Sequence, residues 1–356
     1  MEKNNQSKYV IGITQGDING IGYEIVFKTL SDPEVYENFT IVIYGSPKIA
    51  AYHRKVLNIN NITVNNANNA MEAAPNCINI ISVCDENTRV EIGSSSIQAG
   101  ECSVAAINTA QSDLKNGLID ILIALPVNQV NVFDAGFRFA GITEALAQEF
   151  NCKNFLTTFI GKKCKIATAT PPMPVAKISE SLTTEKILWK LRTLNQSLKD
   201  DFTIRKPRIA VLGINPFASD YGVYGIEEGE RILPAIEKAF QEDIMCFGPY
   251  SPEGFFVSQA YKKFDAVLAM YYDQAMLTFR MIEGNSGIFY AAGLPAVCTS
   301  TVHGPAYDIA GKGIANENSF KNAMYTAIDI FNNRKILQGI VPLKKLTELE
   351  ADKKIC

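Results

Sequence analysis

Histidine is nearly missing from this chain: its 356 residues hold only His53 and His303, so any mechanism that needs a cluster of imidazoles is excluded. Tryptophan occurs once, as Trp189. The eight cysteines (77, 84, 102, 152, 164, 246, 298 and 356) form no C-x-x-C pair, which argues against a zinc ribbon and fits reduced, structural thiols. No apolar run reaches the roughly 18 residues of a membrane span. The opening "MEKNNQSK" has no signal-peptide core, so the expected location is cytoplasmic. A strong charge bias is absent too. Lys and Arg total 34 against 37 Asp and Glu, a net charge of −3 that gives no general attraction to nucleic acid or to an anionic membrane. Any anionic ligand must be gripped locally.

What is present is enough apolar material for two cores, 47% of the residues. Short apolar runs recur at 9–14, 39–45, 78–83, 120–126, 208–215, 265–272 and 296–301. They are continuous rather than alternating, as in strands buried on both faces. Between them lie helical patterns, with Ile187, Leu188, Leu191, Leu194 and Leu198 on one face of a helix. This alternation predicts an α/β protein with a largely parallel sheet. Trp189 reads as core or interface, and His53 in "AYHRK" as a surface helix residue. The Asn-rich stretch 60–76 reads as a surface excursion and the charged tail 346–356 as a solvated end.

Three stretches carry possible chemistry. "VIGITQGDINGIGYEIVFKTL" (10–30) is a strand, a glycine-bearing turn and a helix, and its spacing matches neither phosphate-binding fingerprint. A structural turn and a ligand loop both fit it. "VLAMYYDQAML" (267–277) reads as a buried strand ending in a polar turn with Tyr272, Asp273 and Gln274, the place where α/β enzymes keep reactive groups. "TVHGPAYDIAGKGIANENS" (301–319) has no periodicity and gathers His303, Gly304 and Asn316 in one glycine-rich loop suited to a purine and ribose.

The last stretch resembles the adenosine-binding loop of the isocitrate and isopropylmalate dehydrogenase superfamily. From about residue 9 to 335 the chain is similar to one branch of it, the PdxA family of 4-hydroxythreonine-4-phosphate dehydrogenases in pyridoxal phosphate biosynthesis. "GITQGDINGIGYE", "GITEAL", "GINPFASDYG", "AMYYDQ", "AGLP" and "HGPAYDIAGKG" carry the resemblance, in the family's order. It implies a two-domain fold of isocitrate/isopropylmalate dehydrogenase type with a central cleft. The expected domains are 1–125 with 266–356, and 126–265, the second mediating a homodimer. It further implies NAD as cofactor, held at His303, Gly304 and Asn316, and a small phosphorylated substrate. In the family a divalent metal, held by three histidines from both subunits, polarises the reacting alcohol.

Against that pattern the departures concentrate at one place. The three family ligand positions carry Pro172, Phe217 and Tyr272. Proline and phenylalanine offer no donor, and a phenol must first lose a proton, so no divalent metal is expected there. The family's substrate-contacting His is Ile142, beside a retained Thr143. A family lysine is Gln129, a second lysine is Arg280, an asparagine is Phe289 and an arginine is Cys298. Cys298 itself reads as an inert buried thiol. The expected substrate contacts are therefore Thr143 and Arg280, and the remaining cleft candidates for catalysis are Asp273 and Tyr272. Four readings stay open: a non-catalytic homodimer that binds a nucleotide or metabolite, an enzyme of altered chemistry using Mg or Mn on Glu144, Asp220 and Asp273, residual metal-free family activity, and a purely structural partner, for example of an active paralogue.

Overall fold

The computed structural model describes residues 9–85 and 87–339; the charged tail, Cys356 and the opening octapeptide lie outside them. The first part of the chain forms β1 (Tyr9–Thr14), α1 (Gly22–Leu30), β2 (Phe39–Gly45), α2 (Pro47–Val56), β3 (Val64–Ala67), β4 (Ile78–Ser82), α3 (Ile97–Lys115) and β5 (Ile121–Ala124). The middle part forms α4 (Gln129–Asp134), α5 (Ile142–Glu149), β6 (Leu156–Ile160), β7 (Lys165–Thr168), α6 (Ile178–Ser181), α7 (Thr184–Asp200), β8 (Arg208–Leu212), α8 (Leu233–Gln241), β9 (Met245–Tyr250) and α9 (Pro252–Val257). The last part forms β10 (Ala266–Ala269), α10 (Tyr272–Glu283), β11 (Ile288–Ala292), β12 (Val297–Thr301) and α11 (Asn318–Leu337).

Strand pairing turns these pieces into one 12-stranded sheet in the order β3-β4-β2-β1-β5-β12-β11-β6-β7-β10-β8-β9. From β3 to β12 every pairing is parallel. β11 runs antiparallel to β12 and β6, and β6 runs antiparallel to β7. From β7 to β9 the pairings are parallel again. Three reversals leave the second parallel block pointing opposite to the first, so the carboxyl ends of the two blocks lie at opposite edges of the sheet.

The continuous apolar runs become strands because both faces are covered, as in β1, β5 and β10. On α7 the expected leucine face is buried, each side chain worth roughly 1.5–3 kcal/mol. Thr183 starts that helix by accepting from the Lys186 N–H. The Asn-rich stretch lies mostly at the surface but contributes the edge strand β3.

Two side-chain expectations need correction, and strand pairing bears on a domain limit: the expected boundary at 265/266 falls just before β10, which pairs with β7 and β8. By pairing, the chain returns to the first block only at β12. His53 is 1% exposed: its Nε2 lies 2.7 Å from the Ile18 carbonyl oxygen and its ring stacks on Tyr23. Trp189 is 52% exposed, so it is not core, because the leucine face of α7 points the other way.

Candidate functional site

The edge at the carboxyl ends of β1, β5 and β12 is built first by the glycine turn after β1. Its N–H groups are spent inside the protein: Asp17 donates to the Pro126 carbonyl at 2.8 Å and Ile21 to the Pro305 carbonyl at 3.0 Å. A Cβ on Gly20 would stand 2.7 Å from the Pro305 oxygen, and one on Gly16, at φ +67°, 2.5 Å from the Pro126 oxygen. These glycines let three loops touch, so the turn is structural. Asp17 is buried and accepts from the Tyr307 hydroxyl at 2.7 Å and from the Asn131 amide at 3.4 Å. Burial pushes its carboxyl up against the lowering pull of Tyr307, Asn19 and Asn131.

Beyond this frame lies the loop that carries His303, Gly304 and Asn316. His303 Nδ1 is 3.2 Å from the Gly304 carbonyl oxygen, while its Nε2 is buried with no partner. Burial lowers its basicity, with Arg280 nearby adding to the effect. A buried imidazole nitrogen without a partner is costly alone and is satisfied by a ligand that bonds it. Gly304 faces open space. Asn316 is exposed, and its side-chain oxygen accepts from the Asn318 N–H at 2.8 Å. Arg280 reaches this edge from α10, donating to the Val302 carbonyl at 3.3 Å and to Asn285 at 3.0 Å.

The opposite edge gathers the other positions. β7, β10 and β8 are neighbours in the sheet and parallel, so the segments leaving them carry Pro172, Tyr272 and Phe217 to the same side. The ends of these strands are stitched together. Gln274 accepts from the Met270 N–H at 2.7 Å and donates to the Gly213 carbonyl at 2.8 Å, and the Thr170 hydroxyl donates to the Met270 carbonyl at 3.0 Å. Buried Glu228 accepts from the Ile214 and Asn215 N–H groups at 2.8 and 2.7 Å. That clamp holds an unusual turn, because Phe217, Ala218, Ser219, Asp220 and Tyr221 all have left-handed φ, between 46° and 65°. Each such residue costs on the order of 1 kcal/mol, strain of the kind kept at functional sites.

Tyr272 and Asp273 belong to the first turn of α10 rather than to a turn beyond the strand. The Tyr272 ring lies 5.8 Å from Phe159, whose other flank meets Phe289 at 5.1 Å. Two positions that are polar in the family are thus aromatic here and meet through one ring. Burial and neighbouring Asp273 push the Tyr272 phenol further up, keeping it protonated. Phe217 is 61% exposed and touches Tyr224. A divalent metal does not fit Pro172, Phe217 and Tyr272. Among the described residues of one chain, no group of three or more His, Cys, Asp or Glu side chains is placed to hold a metal ion.

Thr143 is buried on α5, and Cys298, on β12 itself, points into the core, where burial pushes its thiol up to about 12. Sequence reasoning missed the Asp17–Tyr307 pair and the clamps made by Gln274 and Glu228. It also missed a cavity lined by Glu144, Lys186 and Lys190. The one usable signal was Lys186 and Lys190 standing one turn apart beside the leucine face of α7.

Two parallel blocks of opposite direction in one sheet, with a glycine-rich loop at the end of β12, define an α/β scaffold of the isocitrate dehydrogenase kind. The isocitrate dehydrogenase of Methylococcus capsulatus superposes with a TM-score of 0.51 at 13% identity over 92% of this chain and 87% of its own, a likeness of fold. The family model described as pyridoxal phosphate biosynthetic protein PdxA matches residues 37–327, and the chain belongs to that family. It is 43% identical over 344 residues to a 4-hydroxythreonine-4-phosphate dehydrogenase of Bacteroides thetaiotaomicron, covering 96% of this chain and 94% of that one. It is similar in structure to the 4-hydroxythreonine-4-phosphate dehydrogenase of Klebsiella pneumoniae, with a TM-score of 0.77 and 26% identity over 92% of this chain and 99% of the other.

Proposed function

We propose that this chain is a PdxA-family protein that binds a nucleotide and a small phosphorylated metabolite without the metal-assisted hydride transfer of its relatives. The observation that carries the reading is the set Pro172, Phe217 and Tyr272 at the ends of three neighbouring strands. A zinc ion needs three or four donors at about 2.0–2.3 Å. Without it an oxyanion developing on the substrate has lost its main electrostatic stabiliser. On this reading Thr143 and Arg280 are the substrate contacts, and Asp273, in the first turn of α10, is the remaining candidate for catalysis.

The nucleotide half of the site supports NAD. The orphaned His303 Nε2 and the open face of Gly304 would take the adenosine, with Asn316 at the far side of the loop. When bound, the nicotinamide of NAD accepts a hydride; the residues of this chain hold and orient the dinucleotide.

A homodimer belongs to the same reading. The loop of His303 and the ends of β7, β10 and β8 sit at opposite edges of one chain's sheet, so a second copy is the economical way to join them across a cleft. Exposed Leu277 and Met281 on α10, with Phe217 and Val223 nearby in sequence to the strained turn, supply apolar surface for it.

The test is a calorimetric titration with NAD, followed by an assay of NAD-dependent turnover of 4-phosphohydroxythreonine with zinc added. Saturable NAD binding with no turnover is the expected result. Turnover at family-like rates would overturn the proposal.

A further inference from the structure

We infer that Cys84 and Cys102 form a redox-active dithiol that closes to a disulfide when a peroxide oxidises it. The pair belongs to the β1–β5–β12 edge of the sheet and stands whether or not the His303 loop binds a nucleotide.

Cys84 stands in the segment that leaves β4, and Cys102 in the first half of α3. One side chain ties them together: Gln15 Nε2 lies 2.8 Å from the Cys84 sulfur and 3.2 Å from the Cys102 carbonyl oxygen. Gln15 is itself held, because its Oε1 accepts from the Tyr23 hydroxyl at 2.8 Å. The largest influence on either thiol is a hydrogen bond with the other. A sulfur–sulfur bond closes only between cysteines whose side chains already approach, and two thiols in hydrogen-bond contact meet that condition. Distance along the chain hides the pair, since no C-x-x-C spacing announces it. Around it the structure is connected to the His303 loop. A disulfide would close residues 84–102 into a ring, and that ring carries Ile92 and Gly93. A Cβ on Gly93 would stand 3.0 Å from the Tyr307 carbonyl oxygen, and one on Gly311 2.9 Å from the Ile92 side chain. Glu91 and Gly93 also donate their N–H groups to Asn19 at 2.7 and 2.9 Å. Oxidation therefore stiffens what the loop 304–316 rests on.

The other thiols set the contrast. Burial pushes Cys164, Cys246 and Cys298 up to about 12, 11 and 12, which leaves them inert. Cys102 moves the other way: its hydrogen bond with Cys84 holds the thiol below its ordinary range against burial, helped by the Thr88 hydroxyl 3.8 Å from the sulfur. The same bond, and burial after it, pushes the Cys84 thiol up. Cys102 is therefore the attacking sulfur and Cys84 the resolving one. The Cys102 thiolate attacks one oxygen of hydrogen peroxide and the O–O bond breaks. Cys102 becomes a sulfenic acid, and the hydroxide released takes up the proton that Cys102 gave, forming water. The Cys84 sulfur then attacks the Cys102 sulfur, the S–O bond breaks, and the Cys84 proton leaves with the hydroxyl as a second water. Two thiols have lost two electrons and two protons, and the peroxide has been reduced to two waters. Cys84 is half-buried and Cys102 is 5% exposed, so the oxidant enters from the Cys84 side.

The experiment treats the full native chain with hydrogen peroxide, counts free thiols before and after, and maps the cross-links by digestion and mass spectrometry without reduction. Two of the eight thiols should be lost, in one linked peptide pair joining Cys84 to Cys102, and dithiothreitol should restore both. Cys84→Ser should abolish the link and leave a sulfenic acid on Cys102 that dimedone captures, a signature that a merely structural thiol would not give. If Cys84→Ser fails to fold, Cys102→Ser and the map of the native chain still decide. Amide hydrogen exchange over residues 304–316 should slow in the oxidised chain and recover on reduction. Absence of the Cys84–Cys102 link, a link that forms only once denaturant is added, or dimedone labelling of other cysteines ahead of Cys102 would each overturn the assignment. Unchanged exchange over 304–316 in the oxidised chain would overturn the connection to the loop.

Discussion

The two edges of the sheet share a chain and a fold but differ in what their polar residues bond to. At the β1–β5–β12 edge, Asp17, Asn131 and Tyr307 bond mainly to one another, and the glycines hold loop against loop. At the β7–β10–β8 edge, Gln274, Thr170 and Glu228 bond to backbone, while the positions that align with the family's metal ligands carry Pro172, Phe217 and Tyr272. Residues that bond to the chain's own backbone are tied to stability and stay. A metal ligand has no such tie, since its partner is the ion. On the proposed reading such a position is free to become apolar; here Tyr272 and Phe289 pack on the same Phe159 ring.

That difference can be broken most forcefully at Phe159, fully buried between the two replaced positions. Phe159→Ala should cost about 3–5 kcal/mol, read as a lower denaturant midpoint with an unchanged slope. A near-neutral result would mean that the aromatic cluster is not a settled core. Glu228→Ala should cost roughly 2–3 kcal/mol, because the N–H groups of Ile214 and Asn215 would lose a buried charged acceptor. The same chemical unfolding measurement checks it, and an unaltered stability would show that the strained turn at 217–221 holds itself.

On the other edge, His303→Ala should weaken NAD binding by about tenfold, measured by calorimetry, with stability nearly unchanged because its Nε2 bonds nothing in the protein. The smallest effect is the pH response of His53. Burial lowers its basicity below the ordinary value of 6.5, so the neutral ring is the folded form. Its contribution is present above about pH 6.5 and is lost as pH falls below it, at up to about 1.4 kcal/mol per pH unit for one proton. Unfolding midpoints between pH 5 and 7 should drop in the native chain and flatten in His53→Gln.

The long apolar runs were readable as strands because their continuity reports burial on both faces, and the leucines of α7 because their spacing reports one face. β6 and β7 were not readable: "LTTFI" and "KIAT" are short and part polar, and only pairing beside longer strands makes them part of the sheet. β3 and β9 escaped for the same reason, being sheet edges with Asn or with Gly and Pro in them. His53 was misread because a charged helix, "AYHRK", has one buried face, and one residue of five points into it. At the site, the motif order located both edges. What it could not reveal was their placement on opposite sides of the sheet, since that follows from the three strand reversals.

The most direct measurement is the zinc content of the purified native chain beside that of the triple variant Pro172→His, Phe217→His and Tyr272→His. The native chain should hold far less than one zinc per chain, and the variant about one per site once three imidazoles are available. Stoichiometric metal in the native chain, lost on replacing Tyr272 by Phe, would contradict the loss of the family's centre.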